Sequence, residues 1–161
     1  MSISVGDRLP EATFKILTSE GPSDITVSDV FSGKKVAFFG VPGAYTPTCH
    51  GQHVPGFINK YDSFRSNGVN EIVCVAVNDP FVLDQWAKDT GAAGKIMFLA
   101  DGPADFIKAI GLDFDASAFG LGVRSKRFAM IVEDGVVKTL NVEDVPSQCE
   151  IASADSLFDG M

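Results

Sequence analysis

The sequence has 161 residues, of which 45% are hydrophobic and 21% are charged, so it is long enough to bury one core and short for two. We therefore predict a single domain over residues 1–161. The 13 Lys and Arg against 21 Asp and Glu give a net charge of −8, which argues against nucleic-acid and anionic membrane partners because both need a basic face. No apolar run reaches the length of a membrane span and residues 1–8 do not resemble a targeting signal, so we expect a cytoplasmic protein.

Three predicted elements precede the first segment that indicates chemistry. Residues 21–27 fit a turn that enters a short strand, residues 27–31 fit a brief helix or turn, and residues 36–41 form a continuous apolar run. A strand that is apolar throughout, rather than alternating, is typical of the buried centre of a sheet. The third element is therefore predicted to lie inside a sheet.

A reactive cysteine is predicted where this buried strand gives way to a helix. Pro42, Gly43 and Pro47 interrupt regular structure after the strand, and a helical pattern begins near Cys49. A thiol in the first turn of a helix faces backbone N–H groups and the positive end of the helix dipole, which both favour the reactive thiolate. We therefore predict that Cys49 is a reactive residue rather than one that only packs in the core. The apolar residues that follow it at helical spacing are Val54, Phe57, Ile58, Tyr61 and Phe64.

Two further strand–helix units follow. Residues 71–77 form a second buried strand, and Asp79 and Pro80 then supply the cap and first turn of a helix. Residues 95–99 form a third strand before a helix that ends at Gly111. The residues assigned to the buried side of the helix after Pro80 are Phe81, Leu83, Trp86 and Ala87.

The last third of the chain changes to an antiparallel pattern. Residues 113–125 look irregular, whereas residues 127–133 and 136–140 are apolar runs joined by Asp134-Gly135, a strong hairpin signal. Residues 153–158 fit a closing helix. This order predicts an α/β fold with a central mixed β-sheet flanked by helices, and it places Cys49 at a strand end, where such sheets build their sites.

The pattern Pro42-x-x-x-Thr46-x-x-Cys49 resembles the active-site signature of the peroxiredoxins, which are thiol peroxidases on a thioredoxin-like fold. Residues 40–57, 77–81 and 120–128 are similar to the type II (type V-like) branch, as are residues 134–143. The resemblance covers essentially the whole chain. It implies a thioredoxin-like fold and the reduction of hydrogen peroxide and organic hydroperoxides through a cysteine sulfenic acid, without metal, haem or flavin.

The resemblance also assigns roles to individual residues. Cys49 would be the peroxidatic nucleophile, and the Thr46 hydroxyl would hydrogen-bond the thiolate and orient the peroxide. Arg127 would stabilise the thiolate and the charge that develops on the peroxide oxygens. Pro42 would shape and shield the pocket, and the backbone N–H groups of Thr48 and Cys49 would complete an oxyanion-type cradle.

Several of the polar residues also have simpler interpretations. Thr46 could act only as a helix cap, and Arg124 and Arg127 could be solvated charges at a strand end. His50 and His53 suggest a metal cluster or a cysteine–histidine pair, but no nearby Asp or Cys completes a zinc set. Helical geometry also directs His53 alongside the reactive cysteine rather than at it. We therefore expect both histidines to be structural or interfacial.

Three routes could recycle the sulfenic acid. Cys74 follows the nucleophile at a spacing similar to that of plant-type members with an internal second cysteine, but it lies mid-strand between valines. Cys149 lies in a C-terminal loop, the region where animal members keep their resolving cysteine. The third route uses an external thiol, either glutathione with glutaredoxin or thioredoxin. We rank the external route first, Cys149 second and Cys74 third.

The resemblance further implies a homodimer that packs around the active-site loops, with Tyr45 and Phe81 as candidate contact residues. The principal alternative function is a peroxide sensor that relays oxidation to a protein partner. A silent binding module and a cysteine hydrolase are the other rivals. The complete set of motif residues argues against the first of these, and a hydrolase would need a histidine that approaches from elsewhere in the chain.

Overall fold

The computed structural model describes residues 2–145 and 147–161. Its largest feature is a seven-stranded mixed sheet in the spatial order β2-β1-β5-β4-β3-β8-β9, and β6 and β7 form a separate ribbon. β3, β4 and β5 are parallel, whereas β8 runs antiparallel to β3. The strands are β1 (Thr13–Thr18), β2 (Gly21–Thr26), β3 (Lys35–Val41), β4 (Glu71–Ala76), β5 (Met97–Ala100), β6 (Asp113–Asp115), β7 (Val123–Ser125), β8 (Phe128–Glu133) and β9 (Val136–Val142).

Helices cover both faces of the sheet. The longest among the described residues, α4, begins at Pro80 after an Asp79 cap, whose carboxylate accepts from Val82 N at 2.9 Å. None of the helices in the described ranges is long and apolar enough to span a membrane. The helices are α1 (Val27–Phe31), α2 (Val54–Asn59), α3 (Tyr61–Ser66), α4 (Pro80–Thr90), α5 (Asp105–Ala109) and α6 (Ala154–Asp159), with a π-helical turn at Cys49–His53 and a 3₁₀ turn at Ser117–Phe119.

The two central strands are buried on both faces, as their unbroken apolar runs predicted. In β3, Phe39 points into an apolar cluster with Cys49, and Phe38 points into a second cluster on the opposite face. Cys74 of β4 is paired in register with Phe39 and belongs to the first cluster. Because side chains alternate along a strand, this register decides which face supports the reactive cysteine.

The predicted mixed sheet and hairpin are confirmed. Asp134 and Gly135 both have positive φ, at 49° and 78°, as the two central residues of a type I′ turn require. β1 was missed, and residues 113–125, which looked irregular, form the β6–β7 ribbon around a 3₁₀ turn. Short strands of mixed polarity give little periodic signal, so their pairing depends on tertiary contacts.

Two details of the predicted helices are wrong. The helix after Cys49 does not continue unbroken to Phe64, because Lys60 has ψ 3° and separates α2 from α3. Phe81 was assigned to the buried side of α4 but is 60% exposed, whereas Leu83 and Trp86 are buried. Residues two positions apart are separated by about 200° around a helix, so the side chains of Phe81 and Leu83 point to opposite sides.

Gly40 of β3 tests the close packing at the centre of the sheet. A Cβ at this position would lie 2.1 Å from Cε1 of Phe128, the buried residue paired with it on β8. We expect Gly40→Ala to lower the free energy of unfolding by about 3 kcal/mol, as overpacking typically does. Urea denaturation measures this value. Gly51→Ala is the matched control because its Cβ would meet open space, and equal losses in both variants would contradict the packing argument.

Candidate active site

Cys49 lies where the chain leaves β3 and re-enters helical structure. Residues 47–48 are already helical, and Cys49–His53 then form a π-helical turn in which Val54 N donates to Cys49 O. Wider turns of this type are rare and are frequently found at functional sites. The Cys49 side chain is completely buried. The prediction of a thiol in the first turn of a helix is confirmed.

The loop between β3 and Cys49 is fixed by hydrogen bonds at both ends. The Thr46 hydroxyl donates to Gly43 O at 2.7 Å, and Arg124 Nη1 donates to Pro42 O at 3.0 Å. A Cβ on Gly43 would lie 2.3 Å from Arg124 Nη1, so a larger residue at this position would displace the guanidinium. A hydroxyl has one proton. Thr46 therefore directs its proton to Gly43 O rather than to the thiolate, which leaves its hydroxyl oxygen available as an acceptor.

Tyr45 connects the same loop to α4. Its backbone has φ 65°, an unusual conformation for a residue with a side chain. The Tyr45 hydroxyl donates to Asp89 Oδ2 at 2.6 Å, and this bond raises the pKa of Tyr45 to about 12. The ring stacks on His50, whose Nδ1 accepts from Trp86 Nε1 at 2.9 Å. These contacts hold the loop against the helix that follows β4.

Arg127 brings the reactive thiol into contact with a positive charge. The residue lies just before β8, which pairs with β3, and it is 1% exposed. Its Nη2 donates to Cys49 Sγ at 3.1 Å, and its Nη1 contacts His53 Nδ1 at 2.9 Å. Hydrogen bonds from a guanidinium stabilise an anionic acceptor such as a thiolate. The structure thus brings Arg127 to Cys49, whereas the guanidinium of Arg124, in β7, contacts Pro42 of the neighbouring loop.

The sequence did not reveal that His53 belongs to this site. The side chain is fully buried, and its Nε2 lies 2.8 Å from Ala152 O. Burial and the nearby charge of Arg127 lower the pKa of His53 to about 3. The imidazole is therefore neutral at physiological pH. The available signal in the sequence was the position of His53, one helical turn after Cys49. The partners of His53, Arg127 and Ala152, are distant in sequence.

A mainly apolar cavity of about 410 Å³ opens above this group. Arg127 and Thr46 are among its polar lining residues, and the β6–β7 ribbon supplies one wall. The wall explains why residues 113–125 matter although they looked irregular in the sequence. The other lining residues are Pro42, Pro47, Thr48, Phe114, Ala116, Phe119, Leu121, Val145 and Ser147.

The two remaining cysteines occupy different environments. Cys74 is fully buried in β4, and burial raises its pKa well above the ordinary value. Cys149 is partly buried in the loop between β9 and α6, here called the Cys149 loop, and burial raises its pKa to about 11. This loop is attached to the Cys49 helix because Thr48 Oγ1 donates to Ser147 O at 2.7 Å. All three cysteines are free thiols.

The described part of the chain contains no group of three or more His, Cys, Asp or Glu side chains arranged to hold a metal ion. The chemistry that remains is that of a buried thiol paired with the guanidinium of Arg127, which itself lines an apolar cavity. Together with the sheet order, these features define a thiol-based redox enzyme on a thioredoxin-like fold.

Comparison with known proteins gives the family. The Redoxin family model matches residues 4–158. Peroxiredoxin-2C of Oryza sativa subsp. japonica is 43% identical over 97% of this chain and 96% of its own length. Peroxiredoxin-2E, chloroplastic, of Arabidopsis thaliana is 46% identical over 89% of this chain, which spans 63% of that longer protein. Reduced Prx3 of Vibrio vulnificus in complex with H2O2 superposes with a TM-score of 0.92 at 46% identity, covering 98% of both chains.

The chain therefore belongs to the redoxin family, and within that family it is a type II peroxiredoxin, as the motifs indicated. Its reaction is the thiol-dependent reduction of peroxides.

The buried imidazole predicts how stability depends on pH. The pKa of His53 is about 3 in the fold against 6.5 for a free side chain, so only the unfolded chain takes up a proton between these values. The free energy of unfolding therefore falls as the pH is lowered through this range, by on the order of 1 kcal/mol per pH unit. We expect His53→Asn to remove this slope between about pH 6 and pH 4, measured by urea denaturation. His50→Asn is the control, and an unchanged slope in His53→Asn would contradict the argument.

Proposed function

We propose that Cys49 is the peroxidatic nucleophile and that Arg127 activates both the thiol and the peroxide. The observation that carries this proposal is the 3.1 Å contact between the buried Cys49 Sγ and Nη2 of Arg127, a residue that lines the cavity. In a site that excludes water, a fixed guanidinium acts more strongly on a developing negative charge than it would in solvent.

The proposed first step consumes one peroxide. The Cys49 thiolate attacks the terminal oxygen of R–O–O–H, an S–O bond forms, and the O–O bond breaks. The sulfur loses two electrons and becomes a sulfenic acid, while the leaving alkoxide takes up a proton and departs as an alcohol, or as water when the peroxide is H2O2. Arg127, which lines the cavity, would stabilise the charge on the leaving oxygen.

The neighbouring residues would orient the substrate. The Thr46 hydroxyl can accept a hydrogen bond from the peroxide O–H while it donates to Gly43 O. Pro42 lines the cavity and would shield the thiolate from water, and the Thr48 and Cys49 backbone N–H groups would complete the cradle. The apolar lining, which includes Phe114 and Leu121, supports small organic hydroperoxides as substrates beside hydrogen peroxide.

We propose that an external thiol, from glutathione with glutaredoxin or from thioredoxin, returns the sulfenic acid to the thiol. Attack on the sulfenic sulfur releases water and leaves a mixed disulfide, which a second thiol reduces. The raised pKa values of Cys149, at about 11, and of Cys74 keep both protonated at neutral pH, and the thiol form attacks poorly. Cys149 stays the second candidate because its loop contacts the Cys49 helix through Thr48, and the more deeply buried Cys74 is the third.

The first experiment is an intact-mass measurement on the reduced chain. One equivalent of hydrogen peroxide is added, and the reaction is quenched within about one second by a thiol-blocking reagent. We expect a gain of one oxygen that maps to Cys49, because the contact with Arg127 favours the thiolate. A loss of two hydrogens would instead indicate an internal disulfide, and peptide mapping would identify Cys149 or Cys74 as its second member.

Single cysteine variants provide the matched controls. Cys49→Ser should abolish the mass change, whereas Cys74→Ser and Cys149→Ser should retain it and turn over with glutathione and glutaredoxin or with thioredoxin. If Cys49 stays unmodified, the proposed role of this residue is wrong. Fast oxidation combined with slow turnover in every reducing system would favour the alternative function of a peroxide sensor.

We also propose that residues 1–161 act as one domain and pair as a homodimer through the face formed by Tyr45 and α4. Phe81 on α4 is 60% exposed. Tyr45, which is hydrogen-bonded to the same helix, is 45% exposed. Helical spacing places Phe81, Gln85 and Asp89 on one side of α4, and Asp89 binds the Tyr45 hydroxyl. Exposed aromatic side chains are enriched in protein interfaces.

The dimer has a direct test in sedimentation velocity. We expect Phe81→Glu to shift the chain from dimer to monomer, because it places a charge in a desolvated contact. Val5→Glu is the matched control, since Val5 is equally exposed at 60% but lies outside this face. A monomeric wild-type chain, or a dimer that survives the Phe81 substitution, would contradict the proposal.

A reducing compartment suits this chemistry, and we retain the cytoplasm as the proposed location. Three free thiols support the proposal. Relatives differ in this respect, because two that are 46% and 47% identical are named as chloroplastic and mitochondrial proteins. Fractionation of the native cells, with detection of the chain in the soluble cytoplasmic extract or in organelles, tests the location.

A further inference from the structure

We propose that His53 is a positioning residue that holds the guanidinium of Arg127 in place on Cys49. This inference rests on the proposed role of Cys49 as the nucleophile. It extends the active site to a residue that acts on the thiol through Arg127. It is carried by two contacts of one side chain: Arg127 Nη1 lies 2.9 Å from His53 Nδ1, and Arg127 Nη2 lies 3.1 Å from Cys49 Sγ.

The chemistry of the partners determines the tautomer of His53. A guanidinium has only donors, so Nδ1 must be the acceptor in the contact with Arg127. The ring proton of the neutral imidazole then lies on Nε2, which is 2.8 Å from the carbonyl oxygen of Ala152. The two contacts require the same tautomer. Ala152 O thus selects the form of the ring that presents a lone pair to Arg127.

The ring is also held in its plane by aromatic neighbours. The centroid of His53 lies 4.8 Å from that of Phe39 and 5.6 Å from that of Phe57, and these two phenylalanines stack on each other at 4.0 Å. Phe39 comes from β3 and Phe57 from α2, so both elements restrict the imidazole. Nδ1 is consequently a fixed acceptor rather than one that follows the guanidinium.

A fixed acceptor matters because the guanidinium is rigid and planar. Nη1 and Nη2 share one plane, so the bond from Nη1 to His53 helps to fix the direction in which Nη2 donates. Loss of the acceptor at the Nδ1 position removes one of the contacts that orient the Arg127 guanidinium and weakens the alignment of Nη2 with Cys49 Sγ. The thiolate would then lose a charge-assisted hydrogen bond without any change in Cys49 or Arg127 themselves.

Two substitutions at His53 separate this role from packing. His53→Asn retains an amide oxygen near the position of Nδ1 and loses the group that reaches Ala152. His53→Gln retains an amide nitrogen near the position of Nε2 and loses the acceptor for Arg127. Both variants are made with Cys74→Ser and Cys149→Ser so that Cys49 is the reacting thiol, and Arg127→Lys in the same background is the reference for loss of the guanidinium.

The readouts are the second-order rate of Cys49 with hydrogen peroxide and the pH profile of its alkylation by iodoacetamide. We expect His53→Gln to react about 10- to 100-fold more slowly, the loss that corresponds to one hydrogen bond to a charged group. Its alkylation profile should move to higher pH, in the direction of Arg127→Lys. His53→Asn should recover most of the rate, to within about threefold of the parent. If the two variants are folded and show the same rate and profile, the inference is wrong.

A measurement on the unsubstituted histidine covers the case in which a variant fails to fold. In ¹⁵N NMR of the imidazole, we expect an unprotonated Nδ1 whose signal changes in Arg127→Lys, and a protonated Nδ1 would overturn the inference. The proposed function fails separately, through a parent chain whose Cys49 does not react with peroxide. In that case the alkylation profiles still show whether His53 controls the contact between Arg127 and Cys49.

Discussion

A permanently charged guanidinium lies inside this protein, and much of the surrounding structure keeps it hydrogen-bonded. Arg127 is 1% exposed, and a buried charge without partners would cost several kcal/mol. Its two terminal nitrogens contact Cys49 Sγ and His53 Nδ1. An anionic sulfur satisfies the positive charge better than a neutral thiol does. The requirement to pair Arg127 and the requirement to activate Cys49 are therefore met by the same contact.

This requirement extends from the site to the C-terminal part of the chain. His53 can accept from Arg127 only while its Nε2 faces the carbonyl of Ala152, and the N–H of Ala152 donates to the buried carboxylate of Glu143 at 2.6 Å. Glu143 lies directly after β9, and its carboxylate also accepts from Glu150 N at 2.8 Å. Hydrogen bonds therefore hold the Cys149 loop on both sides of Cys149. Before it, Ser147 O accepts from Thr48; after it, Glu150 N and Ala152 N donate to Glu143. Ala152 links the position of this loop to the geometry of Arg127 through His53.

The sheet supplies the distances that these contacts need. β8 pairs antiparallel with β3, so the residue just before β8 lies next to the end of β3, where the chain turns toward Cys49. Gly40 removes a side chain opposite Phe128, which lets the two strands approach at this point. Phe39 then lies under the π-helical turn and packs against His53. A shift of register by one residue would direct Phe39 to the other face and remove this support.

The sequence by itself determined the features that depend on local patterns: the buried strands, the Asp134-Gly135 turn, the turn-to-helix position of Cys49 and the family motif around it. These follow from side-chain periodicity, positive φ and chain connectivity, all of which are written in neighbouring residues. Tertiary structure alone decided that His53 contacts the Arg127 guanidinium beside Cys49, that the β6–β7 ribbon becomes a wall of the cavity, and that Phe81 faces outward. The physical reason is that each of these outcomes depends on contacts between residues far apart in the chain, whose pairing is set by strand order and register and leaves no periodic signal in the sequence.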